Sequence, residues 1–234
     1  MEDMERYGDY NEIDEAPSKN PVTTALKFVL TAVCFLVIGF LAFRIMLFNY
    51  YPAAMKQLYF NDTLAEYYNS VGGDMEVLTQ EIRFPYDNPD DGNFFCENLL
   101  VVPGADQLQI SLRYNTAICE IFLEKYGVDI SEKGLDAFEI RLARDPIEEN
   151  GDPIIVGSLS DKQVQSLMMY NYAKLVFDGV DFGLDAGEEK VEWLRLELEL
   201  LGAKEKTVFA VPIYENNEDY SKFDEYKLSA KERP

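Results

Sequence analysis

Between Phe28 and Phe43 the chain reads FVLTAVCFLVIGFLAF, apolar at every position except Thr31. Arg44 interrupts the run, and Ile45 to Phe48 resume it. At about 1.5 Å per residue, a helix of roughly 21 residues matches a hydrocarbon core about 30 Å thick. The run is apolar on every face, whereas a surface helix of a soluble domain shows one apolar stripe. The pattern therefore predicts a transmembrane helix over residues 24–50. Lys27 marks one boundary and Arg44 the other, its aliphatic stem in lipid and its guanidinium at the headgroups. Tyr50 and Tyr51 fit the aromatic interfacial belt. A cleaved signal peptide requires a basic leader, but residues 1–23 hold seven acidic and two basic side chains. An uncleaved signal anchor is the better reading.

Beyond the span the periodicity is first helical. Thr63-x-x-Glu66 has the form of a capping box, and Leu64, Tyr67, Tyr68 and Val71 recur on one helical face before Gly72-Gly73. Residues 51–73 are thus expected to form a juxtamembrane helical connector.

From Met75 the period falls to two. Leu108, Ile110, Leu112 and Tyr114 alternate with Gln107, Gln109, Ser111 and Arg113. Phe138, Ile140 and Leu142 alternate with Glu139 and Arg141. Leu194, Leu196, Leu198 and Leu200 alternate with Trp193, Arg195, Glu197 and Glu199. Leucine and glutamate favour helix, yet four strict alternations predict a strand there, with one face in a core and one in water. Further strands are expected at 77–84, 94–102, 154–157, 172–177 and 207–214. Turn signals separate them: Asp91-Gly92, Pro103-Gly104, Asn150-Gly151 and Asp178-Gly179. Two short helices interrupt, one over 116–126 ended by Gly127, one opened by a second capping box, Ser160-x-x-Gln163. The expected fold is mainly β: an antiparallel immunoglobulin-like β-sandwich over 74–214, with a few short helices, behind one N-terminal transmembrane helix. An acidic disordered tail (1–23) precedes the span, and a charged, fraying tail (215–234) follows the sandwich.

Composition narrows the function. The 234 residues hold 43 acidic and 21 basic side chains and no histidine, for a net charge of −22. That charge repels phosphate backbones, so no nucleic-acid partner is expected. Without histidine there is no Ser-His-Asp or Cys-His nucleophile and no histidine-held metal. The acidic excess lies in the tail and the domain, with no Asp or Glu between Pro21 and Tyr51.

Few residues offer chemistry. Cys96 and Cys119 could pair if the domain lies outside the cytoplasm, or stay as two buried thiols. Asp87, Asp90 and Asp91 form one oxygen-rich loop, and Asp178, Asp181 and Asp185 another. Both miss the EF-hand template, so calcium is a weak candidate and solvated turns the plainer reading. Asn61-Asp62-Thr63 fits a glycosylation sequon but overlaps a helix cap, and is read as the cap. Tyr170-Asn171-Tyr172 suggests a tyrosine corner, a structural role. No phosphate-binding loop, dinucleotide fingerprint, nucleophile elbow or CxxC pair is present.

The chain thus reads as a non-enzymatic, single-pass protein of the cell membrane, its C-terminal domain outside the cytoplasm. Its partners are the lipid bilayer and a protein or envelope component. A membrane-tethered hydrolase using paired carboxylates is one alternative. An accessory subunit packing its span against other membrane helices is another, although Gly39 is the span's one glycine and no GxxxG motif occurs.

Overall fold

A computed structural model describes residues 21–81, 94–144, 153–182, 193–215 and 223–234. The chain divides into two units, Met1–Tyr51 and Pro52–Pro234. The expected tail lies almost wholly outside the described residues.

In the first unit, helix α1 runs Pro21–Asn49. Its stretch Pro21–Leu47 has a mean hydropathy of 2.5 over its best window, long and apolar enough to cross a membrane. Its few polar side chains turn inward on the helix. Thr31 Oγ1 donates to the Lys27 carbonyl at 2.8 Å and Asn49 Nδ2 to the Ile45 carbonyl at 2.9 Å. Such bonds satisfy polar side-chain atoms on an otherwise apolar helix. The Arg44 guanidinium lies 5.9 Å from the centroid of the Phe40 ring, one turn back. Tyr50 and Tyr51 follow the last turn.

Among the described residues the second unit holds nine antiparallel strands: β1 Leu78–Glu81, β2 Phe94–Val102, β3 Gln107–Asn115, β4 Phe138–Arg144, β5 Ile154–Leu167, β6 Tyr170–Asp178, β7 Trp193–Leu200, β8 Val208–Glu215 and β9 Asp224–Glu225. They form one sheet in the order β8-β7-β4-β5-β6-β3-β2-β1-β9. β5 is the joint. Its first residues pair with β4, and from Ser158 onward it pairs with β6, with a register shift between Leu159 and Asp161. A bulge of that kind bends a strand and increases its twist. The sheet curls until Phe209 on β8 packs against Phe94 on β2, ring centroids 6.0 Å apart.

The result is a half-barrel, a continuous curled sheet where an immunoglobulin-like pair of packed sheets is expected. Alternation reveals which face of each strand is buried, not the order of the strands or whether the sheet divides. The alternating leucines of β7 do face the core: Leu194, Leu196, Leu198 and Leu200 are all buried. Tertiary pairing with β4 and β8 overrides their helix propensity.

The core fills the curl. Leu108, Ile110 and Leu112 of β3 meet Leu175 and Phe177 of β6 and the leucines of β7. Helix α4, Ile118–Tyr126, covers this face through Ile118 and Phe122 and stops at Gly127 (φ 71°), as its sequence predicts. Phe94, Phe122, Phe138 and Phe209 form its aromatic centre.

Three expectations change. The capping-box pattern at Ser160–Gln163 does not open a helix: those residues lie in β5, Ser160 Oγ donates to the Val176 carbonyl, and Gln163 faces Lys174 in the register. Four local residues cannot outweigh nine paired with β6. The connector is not one helix but two short ones, α2 Ala53–Lys56 and α3 Asp62–Ser70, separated by residues that begin extended at Gln57 (ψ 146°). Nor does the C-terminal tail simply fray. Asp224–Glu225 pair with β1, and Tyr226 and Leu228 join a second apolar cluster with Leu58, Leu64, Met75, Val77, Leu100 and Val102. Helix α3 meets the turn after β2 closely. A Cβ on Gly104 would collide with the Tyr67 hydroxyl, so any larger residue there requires the Tyr67 side chain to shift.

Candidate functional site: a strap across the polar face of the sheet

The polar positions of β3 should face water. Instead Gln107, Gln109, Ser111 and Arg113 are at most 4% exposed, and Lys174 on β6 is fully buried. What covers the first three and Lys174 is the segment that follows the span. Residues 55–61, here called the strap, cross this face, and every second residue is held by the next polar side chain. Ser111 Oγ donates to the Met55 carbonyl, and the Lys174 ammonium donates to the Gln57 carbonyl. Gln109 grips Tyr59 at both backbone atoms: its Nε2 donates to the carbonyl at 2.6 Å and its Oε1 accepts from the amide at 2.9 Å. Gln109 Nε2 also donates to Gln107 Oε1 at 2.8 Å, linking the row into a network.

At Asn61 the strap ends in side-chain contacts. Gln107 Nε2 donates to Asn61 Oδ1 at 2.9 Å and to Asp178 Oδ1 at 2.7 Å. Asp178 Oδ2 accepts from Asn61 Nδ2 at 3.0 Å and from Thr63 Oγ1 at 3.1 Å. Asn61 Oδ1 accepts the Leu64 amide at 3.0 Å, so Asn61, not Thr63, caps α3. The sequon asparagine thus uses both ends of its amide inside the fold. Apolar anchoring comes from Met55 and Leu58, three positions apart and both buried.

The C-terminal segment clasps the strap from its other side. The Leu58 amide donates to the Tyr226 hydroxyl at 3.2 Å and to Glu232 Oε1 at 3.1 Å. The Tyr226 hydroxyl donates in turn to Glu232, whose second oxygen accepts the Ser229 amide at 2.8 Å. Burial pulls the Lys174 ammonium down to about 8, opposed by the charge of Glu232. Burial also pushes the Tyr226 phenol up to about 12, helped by its bond to Glu232. For Glu232 burial works against the charged form, but hydrogen bonds from Tyr226, Ser229 and Leu58 outweigh it and hold the carboxyl below its ordinary value.

A carboxyl depressed in the folded state stabilises above the ordinary glutamate range and stops doing so as pH falls through its folded value. Acid should therefore open the clasp at Glu232. In a nuclear magnetic resonance titration, the Leu58 amide is expected to shift with an apparent pKa below that of an ordinary glutamate. Glu232→Gln should abolish that transition.

At the other end of the row, Arg113 pairs with Glu97 at 2.6 Å and lies between the rings of Phe95 and Tyr170, 5.5 and 5.1 Å from their centroids. Tyr170, expected at a strand corner, thus stacks on a cation within β6. Burial raises the Glu97 carboxyl, and the charge of Arg113 partly offsets it.

The residues singled out in the sequence are dispersed. Asp178 ends β6 as the anchor of Asn61, Thr63 and Gln107. The Asp181 amide donates to the Val156 carbonyl at 3.0 Å. Both aspartates border an open cleft of about 360 Å³, lined also by Arg144, Ile155 and Gly157. Asp87, Asp90, Asp91 and Asp185 lie outside the described residues. Among the described residues no three His, Cys, Asp or Glu side chains converge as a metal site. Cys96 on β2 is buried and Cys119 on α4 is half-buried, and in the structure both are free thiols. Burial raises both thiols, Cys96 the more.

The strap and its groove are not visible as a motif. Their one signal in the sequence is Lys174, a lone charge inside the apolar run YAKLVF. Compared with known protein families, curated proteins and solved structures, the chain finds no match.

Proposed function

We propose that this chain is a single-pass membrane protein whose α1 is an uncleaved signal anchor. It holds an acidic β domain outside the cytoplasm as a binding or assembly module. The observation that carries the reading is helix α1, long and apolar enough to cross a membrane and followed at once in the sequence by the domain. The span ends at Asn49, two residues intervene, and from Pro52 the chain belongs to the domain. The strong acidity of the domain favours a cationic partner, a protein or an envelope component. The candidate carboxylates support binding over hydrolysis: Asp178 is engaged by three neutral donors and Glu97 by Arg113.

Topology tests the reading. In a chain with its native cysteines replaced by serine, Lys204→Cys in the domain should react in intact cells with a membrane-impermeant maleimide. Ser18→Cys in the tail should react only after permeabilisation. The opposite pattern would reverse the orientation and remove the extracytoplasmic role.

A further inference from the structure

The groove on the polar face reads main chain. Its donors meet the carbonyls of Met55, Gln57 and Tyr59, and its one acceptor meets the Tyr59 amide. None of these bonds depends on the identity of the strap's side chains. Selectivity enters at the two buried anchors, Met55 and Leu58.

Two physical features make this occupant removable. First, the strap is held by Gln107, Gln109, Ser111 and Lys174, groups that water satisfies as readily as a peptide does, with buried Leu100, Val102 and Val176 beside them on the same face. Uncovering such a mixed face costs less than uncovering a wholly apolar one. Second, no strap residue belongs to the large core inside the curl, which runs from Phe94 to Phe209. That core stays whole when the strap lifts. A contact selected only to be buried would be more stable if wholly apolar, so a row of polar side chains aimed at main chain suits an exchangeable one.

We propose that this face is a peptide-binding groove, held self-occupied by residues 55–61. When the strap lifts, the groove takes an extended segment of a partner protein bearing apolar residues three positions apart. The strap displays the chemistry of that partner: alternate carbonyls toward Ser111, Lys174 and Gln109, and two apolar side chains in the places of Met55 and Leu58. The groove belongs to the domain alone and is independent of the side of the membrane it occupies.

A fluorescein-labelled peptide of residues 51–63 probes it, added to the full chain in lipid nanodiscs and followed by anisotropy. Leu58→Asp, which unseats the chain's own strap, should bind the peptide at least tenfold more tightly than wild type. Adding Lys174→Met to Leu58→Asp should weaken binding at least tenfold. Near-ultraviolet dichroism from the aromatic core verifies folding. If Leu58→Asp loses that signal, Met55→Ser weakens the other anchor and is read in the same way. The proposal is overturned if no folded variant takes up peptide saturably, if wild type binds as tightly as the strap variant, or if Lys174→Met leaves binding unchanged.

Discussion

Phe122→Ala is expected to lower the unfolding free energy of the domain by about 3–5 kcal/mol, the range for truncating a fully buried phenylalanine. Phe122 has no exposed surface. Its ring lies 5.0 Å from that of Phe209, 5.2 Å from Tyr126, 5.6 Å from Phe138 and 6.4 Å from Phe94, centroid to centroid. Those partners come from β8, α4, β4 and β2, so one side chain ties together strands far apart in the sheet order. Removing it leaves a cavity where the curl closes and loses edge-to-face contacts beyond the buried area. Leu123→Ala on the same helix is the matching control. Leu123 is 52% exposed, and its loss should change stability by no more than about 0.5 kcal/mol. Urea denaturation of both variants gives the comparison, and equal losses would place α4 somewhere other than over the core.

Gln109→Leu should cost about 2–4 kcal/mol, although it replaces a polar side chain in a buried place by an apolar one. The usual gain from such a change is absent because three partners are stranded: the Tyr59 amide, the Tyr59 carbonyl and Gln107 Oε1. Each buried group left unpaired costs about 1–3 kcal/mol, and the strap recovers part of that by lifting into water. The expected signature is therefore divided. Amide exchange should rise sharply at Tyr59 and Leu58 while Ile110 and Leu175, in the core of β3 and β6, keep their protection. Uniform loss of protection would mean that strap and sheet unfold as a single unit.

The sequence was informative where burial is one-sided. β2 begins and ends where its apolar run does, the leucines of β7 point into the core, and Gly127 stops α4. The long apolar helix is equally plain, because an apolar run of twenty-odd residues fixes both its extent and its helical form. Long-range pairing was not legible. Nothing in the spacing of Ile154–Leu167 reveals that one strand serves β4 with its first residues and β6 with the rest, yet that hand-over makes the half-barrel. The groove was hidden for a related reason. Gln107, Gln109, Ser111 and Arg113 alternate with apolar residues just as a solvent-facing row does. The approach of a segment fifty residues earlier in the chain buries the first three, while Glu97, Phe95 and Tyr170 surround Arg113. Lys174 could have raised the question, since a charge within an apolar strand needs a partner. Glu232 and Tyr226 gave no signal at all, lying in a charged terminal stretch of unremarkable composition.

Lysine acylation read by mass spectrometry on the native full chain asks whether the polar face is covered. Lys174 donates to the Gln57 carbonyl beneath the strap, while Lys204 is exposed. A covered face predicts that Lys174 reacts at least a hundredfold more slowly than Lys204 at pH 8, and that Gln109→Leu narrows the gap. Reaction of Lys174 at the rate of Lys204 in the wild-type protein would contradict a strap across the sheet.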